Sequence, residues 1–371
     1  MKEKIYFYNK YPCFRRLLDQ TNILRYLKYN GCKIVGSPDD AEYIFINTCI
    51  VTEEFEHKSL ADIKRFANYK GQKIVVGCLP GIARDKIENK EKFKCLPAKE
   101  IEKIDSIFPD NQYKFSDIKD PNFIPEEVNA NNGWHQWGQG EALLRICSGC
   151  NHGCSYCSIR LAIGELRSKP LKECVAEYKK LLDGGIRKFM FLGDNVGAYG
   201  TDISSSLAEL FDELSKIDSG LNVKWSIFEI NPAYAIKYKE TFLRYLQEDK
   251  IISMVTAIQS GSPRILKMMN RLYDAKKIAE IGYDFKKINP SFDFRTEIII
   301  GFPSETMEDF LQTLNLIKKA KFDSVTIYLY IDRPEAPAYN FLDKISELEK
   351  IKRANLAKVI LNRYKIKYYY D

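Results

Sequence analysis

Three cysteines stand close together in Cys150-Asn-His-Gly-Cys154-Ser-Tyr-Cys157, a C-x3-C-x2-C loop. With ten cysteines in 371 residues, this spacing arises by chance in roughly one such chain in a hundred. Thiolates so spaced suit an iron–sulfur cube. Three ligands serve three of its four irons and leave one iron open to something else. A pure electron-transfer cluster usually takes four cysteines, so the missing fourth argues against that role. Two other readings stay open: a zinc site completed by His152 or Cys147, and buried cysteines without metal.

Cys13, Cys49 and Cys78 form a second set, dozens of residues apart. Each follows a short apolar run: Ile5-Tyr6-Phe7-Tyr8, Tyr43-Ile44-Phe45-Ile46 and Ile74-Val75-Val76. In a parallel sheet all strand carboxyl ends share one edge, so three thiols can converge there on a second cluster. The alternative is three separate buried cysteines. Cys32 and Cys174 read as core residues, and Cys147 as packing at a strand end. Cys95 has no assigned role.

These sites need elements to position them. Residues 15–29 carry Leu17, Leu18, Ile23, Leu24 and Leu27 at helical spacing, and a charged helix follows over 53–69. The alternation predicts a small parallel three-layer α/β domain over residues 1–104, with right-handed crossovers. Residues 105–138 hold Pro109, Pro121, Pro125 and Gly133 and read as a linker or irregular extension. Over 139–371, strands at 142–147, 187–192, 223–229, 253–258, 294–300 and 324–330 alternate with helices such as 171–182, 205–217, 305–320 and 346–366. Six β-α units predict a partial TIM-like (β/α) barrel or a doubly wound sheet. Either puts its chemistry at the carboxyl ends of the strands.

Composition excludes other classes. At 45% hydrophobic and 29% charged residues the chain is globular, not disordered. A net charge of +7 permits an anionic partner without demanding one. The charged start MKEKIYFYNK lacks the apolar core of a secretory signal. No apolar run approaches the roughly 18–20 residues of a membrane span. The predicted location is the cytoplasm, where cysteines bind metal more often than they pair.

The cysteine loop resembles that of the radical S-adenosylmethionine superfamily, and further motifs resemble its methylthiotransferase family. They are Asn47-Thr48-Cys49 with Val51-Thr52, Val76-Gly77-Cys78, Gly149-Cys150-Asn151 and Leu192-Gly193-Asp194-Asn195-Val196 with Tyr199-Gly200. Gln259-Ser260-Gly261-Ser262, Met269-Asn270-Arg271, and Glu297 to Thr306 with Asp309-Phe310 continue the series in the family's order, over about residues 5–345.

The resemblance implies a two-cluster enzyme. A [4Fe-4S] cluster on Cys150, Cys154 and Cys157 would bind S-adenosylmethionine at its open iron and cleave it to a 5′-deoxyadenosyl radical. A second [4Fe-4S] cluster on Cys13, Cys49 and Cys78 would deliver sulfur, as a methylthio group, to an unactivated C–H carbon. An external one-electron donor of the flavodoxin or ferredoxin type is implied. Tyr156 would pack on the adenine, and Gly193, Asp194 and Asn195 would border the methionine moiety. Glu229, Gln259 and Arg271 would reach the ribose or carboxylate. The turn from Ile300 to Phe302 would flank the adenine through its backbone.

The chain also departs from the family's pattern. Arg160 stands for a proline, Ile163 for an arginine before Gly164, and Pro12 and Arg16 flank Cys13 where Gly and Asn are usual. The stretch from Tyr330 to Pro337 lacks a usual Ser and a Gly-Thr pair. Members acting on transfer RNA or a ribosomal protein usually carry a C-terminal TRAM-type β-barrel, and no strand-rich module of that size follows the last helix here. A peptide or protein substrate is therefore expected, with transfer RNA as the alternative. The basic, tyrosine-rich stretch from Arg363 to Asp371 reads as a frayed or packed terminus. The competing class is a non-enzymatic Fe–S or zinc redox protein.

Overall fold

The computed structural model describes residues 2–11, 13–128 and 140–370. They form two compact units. One holds the described residues up to 128 together with 158–165, and the other holds 140–157 with 166–370.

The first unit is a parallel sheet between helices. Strand β1 (Lys4–Tyr8) alternates its faces, as period-two geometry requires. Ile5 and Phe7 join a core with Phe45, Ile74 and Val76. Tyr6 and Tyr8 turn the other way, onto Phe66 at ring-centroid distances of 6.1 and 4.7 Å. Helix α1 (Phe14–Tyr29) covers the first face through Ile23, Tyr26 and Leu27, and α2 (Glu53–Phe66) supplies Phe66 on the second. Thr52 caps α2 by accepting from Phe55 N–H. Glu53, Glu54 and Glu56 fill its first turn and Lys64 and Arg65 its last, which suits the helix dipole.

Strands β2 (Lys33–Ile34), β3 (Tyr43–Thr48), β4 (Gln72–Gly77) and β5 (Phe93–Pro97) complete the sheet in the order β2-β1-β3-β4-β5. The edge strands β2 and β5 extend the three strands expected. Cys32 joins the α1-side core, where burial and the neighbouring Glu3 push its thiol up to about 12. Cys95 lies half-buried in β5.

The expected linker is folded over residues 105–128. Phe108 and Phe115 pack on Tyr26 at 6.4 and 5.8 Å. Asn22 donates to Asp120 at 3.0 Å, Lys28 pairs with Glu127 at 2.6 Å, and Val128 packs against Leu17 and Leu24. The rest of that stretch, with Gly133, lies outside the described residues, as does Pro12. Helices α3 (Leu79–Ile82) and α4 (Arg160–Ile163) also belong to this unit. A Cβ on Gly81 would stand 2.7 Å from Ala162 Cα, so glycine permits their approach.

The second unit opens with β6 (Ala142–Arg145) and a two-residue antiparallel ribbon of β7 (Cys147–Ser148) and β8 (Arg167–Ser168). Then come α5 (Leu171–Asp183), β9 (Lys188–Leu192), α6 (Leu207–Ile217), β10 (Lys224–Ile230), α7 (Pro232–Lys237), α8 (Lys239–Gln247) and β11 (Ile251–Gln259). The chain continues through α9 (Pro263–Met268), α10 (Ala275–Ile288), β12 (Asp293–Ile300), α11 (Met307–Lys319), β13 (Ser324–Leu329), α12 (Glu347–Arg363) and β14 (Lys367–Tyr370).

Strands β6, β9, β10, β11, β12, β13 and β14 lie side by side in chain order, all parallel. The six expected strands fall where the alternation placed them. Of the two readings of the tyrosine-rich stretch, the structure has the packed one: Lys367 to Tyr370 pair with β13 as a seventh strand. Outward-facing Phe189, Phe191 and Trp225 meet Tyr178, Phe211 and Tyr245 in an aromatic layer against the helices. Among the described residues no helix is long and apolar enough to cross a membrane.

Candidate active site

The cysteine loop follows β7 and is braced from two sides. On one side Gly149 N–H donates to the Asp194 carboxylate at 2.8 Å, just past the end of β9. Asn195, 3% exposed, points its amide nitrogen at Cys150 Sγ (3.7 Å) and Asn151 Oδ1 (3.2 Å). His152 N–H also points at Cys150 Sγ, at 3.5 Å. Burial holds the Cys150 thiol above its ordinary value, against the pull of that N–H. Gly193 is there because Cys147 is: a Cβ on Gly193 would stand 2.4 Å from Cys147 Sγ.

On the other side Met268 to Arg271 clamp the loop. Ser155 N–H donates to Met269 O at 3.0 Å, Ser155 Oγ to Met268 O at 2.8 Å, and Asn270 Nδ2 to Gly153 O at 2.8 Å. Ala338 N–H donates to Ser155 O at 2.8 Å. The Arg271 guanidinium reaches Cys154 Sγ at 3.6 Å, Tyr156 Oη at 3.3 Å and Ala257 O. The Tyr156 ring packs into an apolar cluster with Ile265, Met269, Phe302 and Tyr330.

The ends of β10 and β11 are distorted beside this loop. Glu229 and Gln259 take φ of +60° and +64°. Both strands slip register there, between Ile227 and Ile230 and between Thr256 and Gln259. Left-handed backbone at a non-glycine residue is costly and persists where surrounding structure imposes it, characteristically at functional sites. Ile300 at the end of β12 turns its side chain outward into the helix layer. Phe302, fully buried, meets Tyr330 edge-on at 5.4 Å. Gly301 N–H donates to Glu305 at 2.8 Å, and Arg353 on α12 pairs with Glu305 at 2.9 Å. Burial pushes the Glu305 carboxyl up to about 7 against these two donors.

The next turn is tied down by Asp309. It accepts from Ser262 Oγ at 2.6 Å, from Thr306 N–H at 2.9 Å and from Arg264. Burial raises its carboxyl, but these donors outweigh burial and hold it at about 2. A depressed carboxyl stabilises the fold above its unfolded value, and that contribution is lost as pH falls through the folded one. Asp309→Asn should therefore cost about 2 kcal/mol at neutral pH. The gap from the parent, read by urea denaturation, should stay constant above about pH 5 and roughly halve by about pH 3. A gap independent of pH would refute the ionised tie.

In the first unit Cys49 and Cys78 follow β3 and β4 directly, and Cys13 lies in the loop after β1, immediately before α1. The strand order reverses between β1 and β3, and doubly wound sheets bind ligands outside the strand ends at such a point. Desolvation raises the Cys49 thiol most, and the nearby Cys78 and Cys13 raise it further. A polar network fixes the loops. Asn47 Nδ2 donates to Asn9 Oδ1 at 2.8 Å, and Tyr11 N–H donates to the same oxygen at 3.1 Å. Cys49 N–H donates to Ser59 Oγ at 2.9 Å, which lies 3.0 Å from Tyr11 Oη. Asp62 accepts from Tyr8, Lys10 and Tyr11 at 2.8, 3.2 and 3.3 Å.

Both sets suit iron–sulfur clusters by donor chemistry. Four buried polar atoms beside the cysteine loop have no partner among the described residues: Asn195 Oδ1, Gln259 Oε1, Arg271 Nε and His152 Nε2. Buried polar atoms are normally satisfied, so these point to a polar ligand. Among the described residues no three His, Cys, Asp or Glu side chains are grouped to hold a single metal ion.

Residues 144–317 match the radical SAM superfamily, and residues 5–96 match Uncharacterized protein family UPF0004. The ribosomal protein uS12 methylthiotransferase RimO of Sulfurihydrogenibium sp. (strain YO3AOP1) is 30% identical over 357 residues, 92% of this chain and 78% of that one. The chain belongs to the radical S-adenosylmethionine methylthiotransferase family. The methylthiotransferase is also similar to the probable threonylcarbamoyladenosine tRNA methylthiotransferase of Pyrococcus horikoshii, 29% identical over 346 residues, 89% of this chain and 77% of that one. Its fold is that of the radical S-adenosylmethionine methyltransferase TsrM of Kitasatospora setae, solved with cobalamin and a [4Fe-4S] cluster bound. That structure gives a TM-score of 0.64 at 12% identity over 91% of this chain and 77% of that one.

As a member of this family the methylthiotransferase is an enzyme that uses S-adenosylmethionine and [4Fe-4S] clusters. Sequence reasoning had not singled out Asn9, Tyr11, Ser59, Asp62 or Ser155. The first four are 50 residues apart in places and meet only through the fold. Met269-Asn270-Arg271 was visible as a motif, but not as the clamp of the cysteine loop.

Proposed function

We propose that this methylthiotransferase carries one [4Fe-4S] cluster on Cys150, Cys154 and Cys157 and a second on Cys13, Cys49 and Cys78, and that it places a methylthio group on an unactivated C–H carbon of transfer RNA. The observation that carries this is the pair of separate three-thiol sets, each beside parallel strand ends. The bound clusters supply what side chains cannot, the electron that cleaves S-adenosylmethionine and the sulfur that is transferred. The chain's own residues bind and orient. Gly193, Asp194 and Asn195 border the methionine moiety, Glu229 and Gln259 reach the ribose, and the backbone from Ile300 to Phe302 flanks the adenine. Tyr156 and Arg271 hold the cysteine loop in shape.

Transfer RNA is compatible with the net charge of +7, since phosphate neutralisation dominates nucleic-acid affinity. It is also the substrate in the name of the Pyrococcus relative. A protein substrate is the second reading, favoured by the 30% identity to an enzyme named for a ribosomal protein. The setting is the cytoplasm, with a flavodoxin- or ferredoxin-type electron donor.

The test is anaerobic reconstitution followed by incubation with S-adenosylmethionine, dithionite and either bulk transfer RNA or ribosomal protein. About eight irons per chain are expected, with 5′-deoxyadenosine released and a methylthio mass gain on nucleosides. The gain on protein alone would select the second reading. One zinc and no iron, or no 5′-deoxyadenosine with either substrate, would overturn both.

A further inference from the structure

Arg271 holds a buried charge without a carboxylate. After β11 the chain turns at Ser260-Gly261-Ser262, runs through α9, and reverses at Asn270, whose φ is +54°. Arg271 N–H closes that reversal on Leu266 O at 2.9 Å. The guanidinium is thereby aimed back at the cysteine loop, and Arg271 is only 7% exposed. Its acceptors are Cys154 Sγ, Tyr156 Oη and Ala257 O, and the Tyr273 ring lies 5.9 Å away. No carboxylate pairs with it among the described residues, in a protein that buries other cations against acids, as Lys250 against Asp218 and Arg353 against Glu305.

A guanidinium does not lose its proton, and a buried charge left uncompensated is strongly destabilising. Its counter-charge must come from what binds at the cysteines. A [4Fe-4S] core in its 2+ state on three thiolates carries a net charge of −1, and one more electron makes it −2. The three cysteines are not equivalent in this respect. Cys150 receives only neutral donors, His152 N–H and the Asn195 amide, whereas Cys154 receives the cation. Cluster potentials respond to net charge and to hydrogen bonds on the sulfurs.

We propose that Arg271 is the counter-charge of the 150–157 cluster and that it favours the reduced state through its contact with Cys154 Sγ. This rests on the assignment of a cluster to Cys150, Cys154 and Cys157. The step concerned is a one-electron reduction from the 2+ to the 1+ core, in which an external low-potential reductant loses one electron and no bond breaks. Arg271 is a positioning residue here, acting on the cluster through a ligand. The assignment differs from a contact to S-adenosylmethionine alone, because three of the guanidinium's acceptors are already supplied by the protein.

The test uses the full chain with Cys13, Cys49 and Cys78 replaced by Ala, so that one cluster remains. Reduction by titanium(III) citrate is followed by electron paramagnetic resonance at fixed poise, without S-adenosylmethionine. Arg271→Gln should keep four irons and lower the ratio of reduced to oxidised cluster about tenfold, which is 59 mV for a one-electron couple. Arg271→Lys keeps the charge but cannot span the three acceptors, so its ratio should fall less. A Gln variant with four irons and the parent's ratio overturns the proposal and leaves the cluster assignment standing. If the Gln variant holds no cluster, Arg271→Lys decides: a cluster whose ratio falls clearly less than about tenfold supports the proposal, and a fall of about tenfold despite the retained charge, or no cluster, overturns it. A parent that binds no iron overturns the assignment and this proposal together.

Discussion

Cys49→Ala should leave the cleavage of S-adenosylmethionine intact and abolish sulfur transfer. Cys49 follows β3 in the first unit, while the cysteine loop and its clamp from Met268 to Arg271 lie wholly in the second. Its backbone N–H is held by Ser59 Oγ, so the loop keeps its anchor when the thiol is lost. Losing an outer-shell partner of a metal typically costs about 10–100-fold in metal affinity or activity. Removal of a direct ligand should exceed that, and methylthio product should fall more than about a hundredfold. 5′-Deoxyadenosine should still form when dithionite and S-adenosylmethionine are supplied, and liquid chromatography of one quenched reaction reads both products. Cys154→Ala should lose both products. Loss of both in Cys49→Ala would mean that the two cysteine sets do not divide the work.

The second large effect is expected at Gly77, which ends β4 immediately before Cys78. Its φ is +101°, and a Cβ there would stand 2.3 Å from Thr48 O. That oxygen is backbone at the end of β3, so it cannot swing aside as a side chain would. Forcing an L-residue into such a conformation costs of order 1–3 kcal/mol, and overpacking adds about 1–3 kcal/mol. Gly77→Ala should therefore cost about 3 kcal/mol or more in the first unit. Iron should drop from about eight to about four per chain, because β3 and β4 can no longer bring Cys49 and Cys78 together. Gly36→Ala is the control, since nothing lies within 4 Å of a Cβ there. Its thermal unfolding should match the parent's within experimental scatter. Full iron content in Gly77→Ala would refute the convergence of these thiols.

Much of the scaffold could be read from residue order because its elements are long and strictly alternating. Strands β9 to β13 and helices α5, α6, α11 and α12 fall within a few residues of the expected spans. The elements not foreseen are short or at edges. Strand β2 has two residues, and β14 is a largely exposed run of lysine and tyrosine that only its pairing with β13 makes a strand. Residues 105–128 read as a linker or an irregular extension because prolines and polar residues dominate them, and Phe108, Phe115 and Val128 supply the apolar surface that holds them on α1.

The candidate site divides in the same way. The cysteines and glycines were visible as types at a spacing. The left-handed backbone at Glu229 and Gln259 was not, since neither residue prefers it. Asp62 looked like a charge on a helix face until Tyr8, Lys10 and Tyr11 were found around it.

The two cysteine sets also differ in when they can exist. Cys150, Cys154 and Cys157 lie within eight residues, so even an unfolded chain offers them to iron together. Cys13, Cys49 and Cys78 are separated by 36 and 29 residues and meet only after β1, β3 and β4 have paired. A cluster on them would staple two closed loops, each removing about 3–4 kcal/mol of chain entropy from the unfolded state on the reasoning applied to disulfides. Iron at that edge would act as a fastener of the first unit as well as a source of sulfur. Its loss to oxygen would then loosen the sheet itself and expose the unit to proteolysis.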